Sequence, residues 1–316
     1  NNELSAGNDP IGTMNVFVWL LFVLRRAAEA DIDWRNVQGL NLVTSARSST
    51  NPGKGCDASW AFAAATMLGD RVYIAAMKAA LLLREGPLPT KATLSAQAFV
   101  NCASGGGCAD GRVEDALEMA TTFGAVDETC QSWRGDKSAC DAKHVCVNCF
   151  GTCQAVDEYL VYGVETYGRA TLDDASLRGG PVACRVENGD ADDDDSVPTS
   201  KAFYASIVAL HGDFAIGQPN FGTFRGNESD GFYSFPKANV RECWEATPTI
   251  PTKGKLGQAT FLLQQNATTY EELESLLLLR ESRRKRFQRQ EEEEEEQGEE
   301  ESPVVVSSSS SSLAPR

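Results

Sequence analysis

The sequence predicts an α+β domain in which a helical lobe is followed by a β lobe and disulfides cross-link the chain. A run of strong helix formers, rich in alanine, extends from Ser59 to about Leu83. From about Tyr159, short alternating segments are separated by Gly, Pro and Asp, which is typical of strands and turns. The chain of 316 residues has ten cysteines, tightly spaced from Cys102 to Cys153, and this even number favours disulfides formed in an oxidising compartment.

Residues 1–32 are predicted to be an extension outside the domain. The apolar run Asn15–Leu24 is too short to span a bilayer, which takes about 20 apolar residues. Its length suits the core of a signal peptide, but Arg25 and Arg26 follow the run, whereas a signal peptide has its basic residues in front. A signal-like segment and a misassigned gene start both stay open.

The run after Ser59 predicts a buried central helix, because apolar or small residues occur on every side of it. Free backbone N–H groups and the positive end of the helix dipole favour a developing anion at its first turn. Ser59 is therefore placed like a nucleophile. Arg112–Thr122 predicts a second, shorter helix with one apolar face.

Strands of the β lobe are predicted at Tyr159–Val164, Val182–Val186 and Ala205–Leu210. The domain is expected to cover residues 33–247. Residues 248–316 contain a leucine-rich stretch, Thr269–Arg280, followed by a basic, an acidic and a serine block. Such blocks bury too little apolar area to offset their ordering entropy, so we predict a disordered tail with one possible helix.

The charge of the chain argues against a nucleic-acid partner. The formal net charge of -16 and the pI near 4.6 argue against nucleic acid, whose phosphates need clustered cations. Acidic runs at Asp192–Asp195 and Glu291–Glu296 are typical of solvated loops or tails. We predict no membrane span and no cofactor; the sequence leaves the oligomeric state open.

Several motifs together resemble the papain family of cysteine peptidases. Cys56–Phe62 reads Cys-Asp-Ala-Ser-Trp-Ala-Phe and is similar to that family's Cys-x-x-Cys-Trp-Ala-Phe, and Asn51–Lys54 resembles its Asn-Gln-Gly-Lys. Within the family the resemblance is closest to cathepsin X, also called cathepsin Z. It covers about Asp33 to Cys243 and includes Asp127–Cys130 and Gly180–Cys184 in the same order.

The resemblance implies a papain-like two-lobed fold with degenerate catalytic positions. Ser59 stands at the position of the nucleophilic cysteine, and Ser206 at that of the histidine. Asn220 is a remnant of the orienting asparagine, and Pro52 stands at the glutamine of the oxyanion hole. A different register would bring His211 into the site, although it lies five residues beyond Ser206 and so on the opposite face of a strand.

The resemblance also implies a disulfide pairing that spacing alone leaves open. The alternative to disulfides in this region is a zinc site, since Cys-x-x-Cys is a common ligand pattern. Its ligands would be His144, Cys146, Cys149 and Cys153. In the relative, each of these cysteines has a disulfide counterpart, so we predict no metal. The implied pairs are Cys56 with Cys108, Cys102 with Cys140, Cys130 with Cys146, Cys149 with Cys153, and Cys184 with Cys243.

These observations predict a pseudopeptidase that keeps a cleft for a peptide or protein ligand. One alternative is an active papain-type peptidase that uses Ser59 with His211 and Asn220, and another is a degenerate gene product with an incomplete β lobe. The cysteines favour the secretory pathway, with a lysosome-like or extracellular destination. Asn227 and Asn266 fit the N-glycosylation sequon in that setting.

Overall fold

The computed structural model describes residues 32–49, 56–83, 88–108, 111–141, 144–149, 151–187, 202–221, 230–249, 251–254 and 269–300. The predictions for Pro52, Asn227, Asn266 and residues 1–31 therefore lie outside the described residues. All ten cysteines, both histidines, Ser59, Ser206 and Asn220 lie inside them.

The helical lobe contains α1 (Ser59–Leu83), α2 (Ala96–Cys102) and α3 (Val113–Thr122). The N-terminal half of α1 is buried on all sides, as its composition predicts. The Ser95 side chain caps α2 by accepting a hydrogen bond from the backbone N–H of Ala98 at 3.0 Å. The predicted central helix and second helix are thus both present.

The strands are β1 (Val147–Asn148), β2 (Gln154–Ala155), β3 (Tyr159–Val161), β4 (Val164–Ala170), β5 (Val182–Glu187), β6 (Ala202–His211), β7 (Phe214–Gln218), β8 (Tyr233–Pro236), β9 (Val240–Pro248) and β10 (Thr252–Gly254). The β lobe is a six-stranded antiparallel sheet with the strand order β4-β9-β5-β6-β7-β8. The short helix α4 (Asp174–Arg178) precedes β5. The described residues of the β lobe form one continuous sheet, which favours a complete β lobe over the alternative of an incomplete one.

Two large apolar clusters divide α1 between them. The N-terminal half of α1 packs with α2, α3 and the sheet residues Ala183, Trp244 and Ala246. Its C-terminal half packs with the opposite set of sheet side chains and with Trp34. Helix α1 is therefore the common core of both lobes.

The domain continues beyond residue 247, where the sequence analysis ended it. Strand β10 pairs with β3, and Thr249 is buried. Helix α5 (Tyr270–Glu300) places Tyr270, Leu273 and Leu277 in the same apolar cluster as Trp34. Trp34 also contacts the Tyr270 ring edge-on, with ring centroids 5.0 Å apart. The leucine-rich stretch is thus packed on the domain, with Trp34 among its contacts.

Five disulfides cross-link the chain. They join Cys56 to Cys108, Cys102 to Cys140, Cys130 to Cys146, Cys149 to Cys153, and Cys184 to Cys243. These are the pairs that the family resemblance implies, and they leave no thiol in the chain. Within the described residues, no helix is long and apolar enough to cross a membrane.

Candidate functional site

Ser59 is the first residue of α1, and its hydroxyl lies beside a carboxylate. The segment before it turns sharply, with the backbone N–H of Ala58 bonded to the carbonyl of Cys56 at 3.1 Å. Ser59 is 5% exposed, and its Oγ donates a hydrogen bond to Oδ1 of Asp57 at 3.3 Å. Position 59 therefore combines the positive end of the α1 dipole with a negative charge.

Ser206 is fully buried in the middle of β6. Its Cα partners across the sheet are Ala183 on β5 and Gln218 on β7. Since Ala183 belongs to the cluster around the N-terminal half of α1, Ser206 lies on the sheet face that meets the helical lobe. The Ser206 hydroxyl has no hydrogen-bond partner among the described residues.

A chain of buried polar groups leads from Gln218 into α1. The Gln218 side-chain amide donates to the carbonyl of Thr44 at 3.2 Å, and the backbone N–H of Thr44 donates to Oδ1 of Asp70 at 2.7 Å. Burial raises the pKa of Asp70 from 3.8 to about 7, although hydrogen bonds from Thr44 and the charges of Lys91 and Arg47 oppose this. The two lobes are therefore joined by a carboxyl group that titrates near neutrality.

Asn220 follows β7 and contacts the segment that leads to Ser59. Its side-chain amide donates to Oγ of Ser49 at 2.6 Å, and its carbonyl accepts from the Ser49 backbone N–H at 2.9 Å. Oδ1 of Asn220 is buried and has no hydrogen-bond partner within the part of the chain that the structure describes. Phe221 packs edge-on against Phe203 at 5.1 Å. Asn220 thus offers a buried acceptor two residues beyond Gln218, the cross-strand partner of Ser206.

Neither histidine of the chain lies at Ser59. His211 ends β6, pairs with Phe214, and its Nε2 lies 3.4 Å from Oδ2 of Asp33. Five residues of strand separate it from Ser206, about 16 Å. Its neighbour Leu210 packs with the C-terminal half of α1. Because α1 is about 37 Å long and begins at Ser59, this places His211 toward the opposite end of the helix from Ser59.

His144 lies in the helical lobe, where Nδ1 is 2.8 Å from Oδ1 of Asp141. The sulfurs of Cys146, Cys149 and Cys153, which the zinc alternative requires as thiolates, are in disulfides. Within the described ranges, no group of three His, Cys, Asp or Glu residues could hold a metal ion. The zinc alternative is therefore wrong.

Sequence reasoning missed Asp57 and Gln218. Asp57 lies inside the motif that identified Ser59, so its proximity to the nucleophile position could have been predicted from the spacing. Gln218 depends on the β6–β7 register, which the sequence does not define. The structure thus brings together Ser59 with Asp57, Ser206 with Gln218, and Asn220 with Ser49.

The family of the chain follows from comparison with known proteins. Residues 28–194, more than half of the chain, match the family model for papain family cysteine protease. The solved structures that resemble the fold include the ragweed pollen allergen Amb a 11 cysteine protease in its proform. It is 20% identical in sequence with a TM-score of 0.47, and the match covers 68% of this chain and 64% of that one. The chain therefore spans less than two thirds of that proform.

Two further solved structures have similar sequence identities and TM-scores. The bromelain protease from Ananas comosus, in complex with the E64 inhibitor, is 20% identical with a TM-score of 0.47 and covers 69% of this chain and 98% of that one. Digestive procathepsin L 3 of Tenebrio molitor larval midgut is 19% identical with a TM-score of 0.45 and covers 69% of each chain.

Proposed function

Because this chain belongs to the papain family of cysteine proteases, we propose that it is a cathepsin X-like homologue that binds peptides between its lobes and hydrolyses them poorly or not at all. The surroundings of Ser59 carry this proposal. A serine hydroxyl becomes a nucleophile only when a general base accepts its proton. Among the described residues, the Asp57 carboxylate accepts a hydrogen bond from the Ser59 hydroxyl. His211 contacts Asp33 and His144 contacts Asp141, so neither imidazole is at Ser59.

Asp57 is a poor substitute for the missing imidazole. Carboxylates as a class are weaker bases than imidazole, so at neutral pH they accept a proton from a hydroxyl less effectively. The negative charge of Asp57 also opposes the oxyanion that forms during acyl transfer. The contact with Asp57 therefore supports impaired hydrolysis.

The position that corresponds to the family's histidine adds to this argument. Ser206 has no basic nitrogen, and its hydroxyl is buried without a protein partner among the residues described. For His211 to act on Ser59, it would have to leave Asp33 and its place at the end of β6. We therefore favour the pseudopeptidase over the active Ser59 enzyme.

Several features support a retained binding function. The two lobes are held by the Asp70–Thr44–Gln218 chain and by Asn220 on Ser49, so the junction between them is defined by buried hydrogen bonds. Bonds of this kind fix the geometry of the junction because breaking one leaves a buried polar group without a partner. The family's peptide-binding surface lies at such a junction, and we propose the same for this chain.

Binding and hydrolysis of one set of peptides test the proposal. The full chain is titrated into dye-labelled peptides for fluorescence anisotropy, and the unlabelled peptides are incubated with it and followed by mass spectrometry. We expect saturable binding and no cleavage above a blank, with the same result for Ser59→Ala and His211→Ala. Cleavage by the wild type that both variants abolish would establish the active enzyme, and the absence of binding would exclude the proposed cleft.

The proposed location is the secretory pathway, with a lysosome-like or extracellular destination. The five disulfides support it, because such bonds persist in oxidising compartments. We propose Asn227 and Asn266 as glycosylation sites on the same basis. Protein from its native source should lose mass when it is treated with an N-glycosidase, and an unchanged mass would contradict the assignment.

A further inference from the structure

The second half of α5 lies beyond the domain on which its first half packs. Among the side chains that the structure describes, Leu277 is the last buried one of this helix, and residues 282–286 are exposed. At a rise of about 1.5 Å per residue, α5 extends roughly 35 Å past Leu277 to Glu300. Helices in proteins owe most of their stability to a packed face, so this half of α5 is suited to contact with another molecule.

One side of this half of the helix faces away from the domain. Leu279, Arg283 and Arg286 follow one another at spacings of four and three residues, so they share one face of α5. At about 100° per residue, this face lies opposite Leu273 and Leu277, which are buried against the domain. Leu279 is 51% exposed, and both arginines are exposed. We call Leu279, Arg283 and Arg286 the outer face, and a partner has free access to it.

The arginines of the outer face find no carboxylate in their own helix. Helical neighbours are three and four residues apart, and at those spacings Arg283 and Arg286 have no acidic residue. The Glu281 carboxylate is bound by Arg284 and Lys285, at 3.0 and 3.7 Å. Among the described residues, Arg283 and Arg286 have no ion pair, and their like charges lie three residues apart. The outer face therefore has an unbalanced positive charge.

The complementary charge follows along the same helix. Residues 291–296 are six consecutive glutamates, and Glu294 continues the spacing of the outer face, eight residues after Arg286. These glutamates repel one another, and they lie toward the negative end of the helix dipole, where negative charge is unfavourable. The arginine block and the glutamate block would each be stabilised by a partner of opposite charge. A second copy of the chain offers both charges at once.

We infer that α5 is a self-association helix, in which the outer face of one copy pairs with that of a second copy in antiparallel orientation. A two-fold axis at Gln290 sets Arg286 of each copy opposite Glu294 of the other. Arg283 then lies less than one turn from the same glutamate. A parallel pair would instead place arginine against arginine and glutamate against glutamate, and such contacts between like charges are costly.

The net charge of -16 on each chain opposes association, so the distance between the two domains decides the outcome. Gln290 lies about 20 Å along the helix from Leu277, and the antiparallel pair therefore holds the two domains roughly 40 Å apart along the helix axis. The Debye length is about 8 Å at physiological ionic strength, so salt screens the repulsion between the domains. Arginine and glutamate in contact lie well within that length. An anionic membrane is the weaker alternative, because it also repels the glutamate block.

Sedimentation equilibrium of the full chain tests the pairing. At low salt we expect the average mass to rise with concentration toward twice that of one chain, and at high salt we expect the dissociation constant to rise about tenfold or more. Arg283→Glu with Arg286→Glu should weaken the association by a similar factor. Adding Glu293→Lys with Glu294→Lys to that variant should restore the association, because the opposing charges match again and the net charge is that of the wild type.

Arg284→Glu with Lys285→Glu is the matched control. This variant changes the net charge by the same amount in the same helix, but at positions outside the outer face. We expect its dissociation constant to stay close to that of the wild type. The pairing uses no residue proposed for the peptide cleft, so peptide binding should be the same in both variants.

A single new thiol measures the orientation of the two helices. All ten native cysteines are in disulfides, so Gln290→Cys and Leu279→Cys each add the sole thiol of the chain. In the antiparallel pair position 290 meets itself, whereas the two copies of position 279 lie about 33 Å apart along the axis. Gln290→Cys should therefore form a disulfide-linked dimer under a mild oxidant, and Leu279→Cys should not.

Three results would overturn the inference: a mass that stays at one chain at low salt, a control variant that dissociates as fully as Arg283→Glu with Arg286→Glu, or equal cross-linking of the two thiol variants. Vesicles that contain phosphatidylserine test the membrane alternative. Binding to them by a chain that stays monomeric would assign the outer face to an anionic membrane surface instead.

Discussion

The charge of Asp57 should control the ionisation of any thiol placed at position 59. In the family a thiolate at the start of this helix is the nucleophile, and Ser59→Cys restores the thiol. The Asp57 carboxylate lies 3.3 Å from the Ser59 Oγ that the sulfur would replace. We expect the thiol of Ser59→Cys to have a pKa at or above the ordinary value of about 8.5, and Asp57→Asn in the same background to lower it.

The size of this effect follows from the distance. Two unit charges about 4 Å apart interact by about 1 kcal/mol in water and by about 4 kcal/mol at an effective dielectric constant of 20. Ser59 is buried whereas Asp57 is exposed, so solvent screens part of the interaction and the lower half of this range applies. Because about 1.4 kcal/mol corresponds to one pKa unit, removal of the charge should lower the thiol pKa by roughly 1–2 units.

The pH dependence of alkylation by iodoacetamide measures this pKa directly. All ten native cysteines are in disulfides, so the new thiol is the sole reactive site and mass spectrometry counts one adduct. Asp213→Asn, in the exposed turn between β6 and β7, is the control for the change in net charge. Equal thiol pKa values with and without the Asp57 charge would refute the reasoning.

Three further predictions concern catalysis, pH and the C-terminal helix. Ser59→Cys alone should stay inactive on a fluorogenic peptide, whereas Ser59→Cys with Ser206→His should cleave it measurably, because only the double variant pairs a thiol with an imidazole. Folding raises the pKa of Asp70 from 3.8 to about 7, so its contribution to the free energy of unfolding is complete below about pH 4. That contribution, up to about 4 kcal/mol, is lost as the pH rises to 7. Urea unfolding should show this loss in the wild type and not in Asp70→Asn. In the same assay, Leu273→Ala should lower the free energy of unfolding by about 2–5 kcal/mol, because Leu273 is fully buried. Leu278→Ala should lower it by about 0.5 kcal/mol or less, because Leu278 is 50% exposed. Equal effects of the two variants would contradict the packing of α5.

Local signals were sufficient for α1 and α3 of the helical lobe, whereas α2 was not predicted. The absence of a polar side predicted that α1 is central, and the small residues before Ser59 predicted its start. The strands at Val182 and Ala205 were found from their apolar runs, although β6 begins earlier, at Ala202, because pairing with β5 extends it. The disulfide pairs needed the family resemblance, since ten cysteines allow many pairings.

Long-range contacts account for what the sequence did not predict. The stretch 269–280 looked like part of a tail because its leucines precede charged blocks, and only the position of Trp34 shows what they cover. The burial of Gln131 and Gln218 was not predicted. Their burial depends on the fold around them, which brings Ser95 and Thr44 next to them from distant parts of the chain.

Two buried acceptors, on the strand that pairs with Ser206 and just after it, bear on the proposed Ser206→His variant. Oε1 of Gln218, directly across the sheet, and Oδ1 of Asn220, two residues further along, are both buried and have no donor among the residues that the structure describes. A side chain at position 206 that carried an N–H and reached farther than a hydroxyl would satisfy one of them, and an imidazole has that shape and that donor. We therefore propose that a histidine at position 206 would find an acceptor on this face of the sheet. This is why we expect Ser206→His to be tolerated in the fold and, together with a thiol at position 59, to restore part of the chemistry.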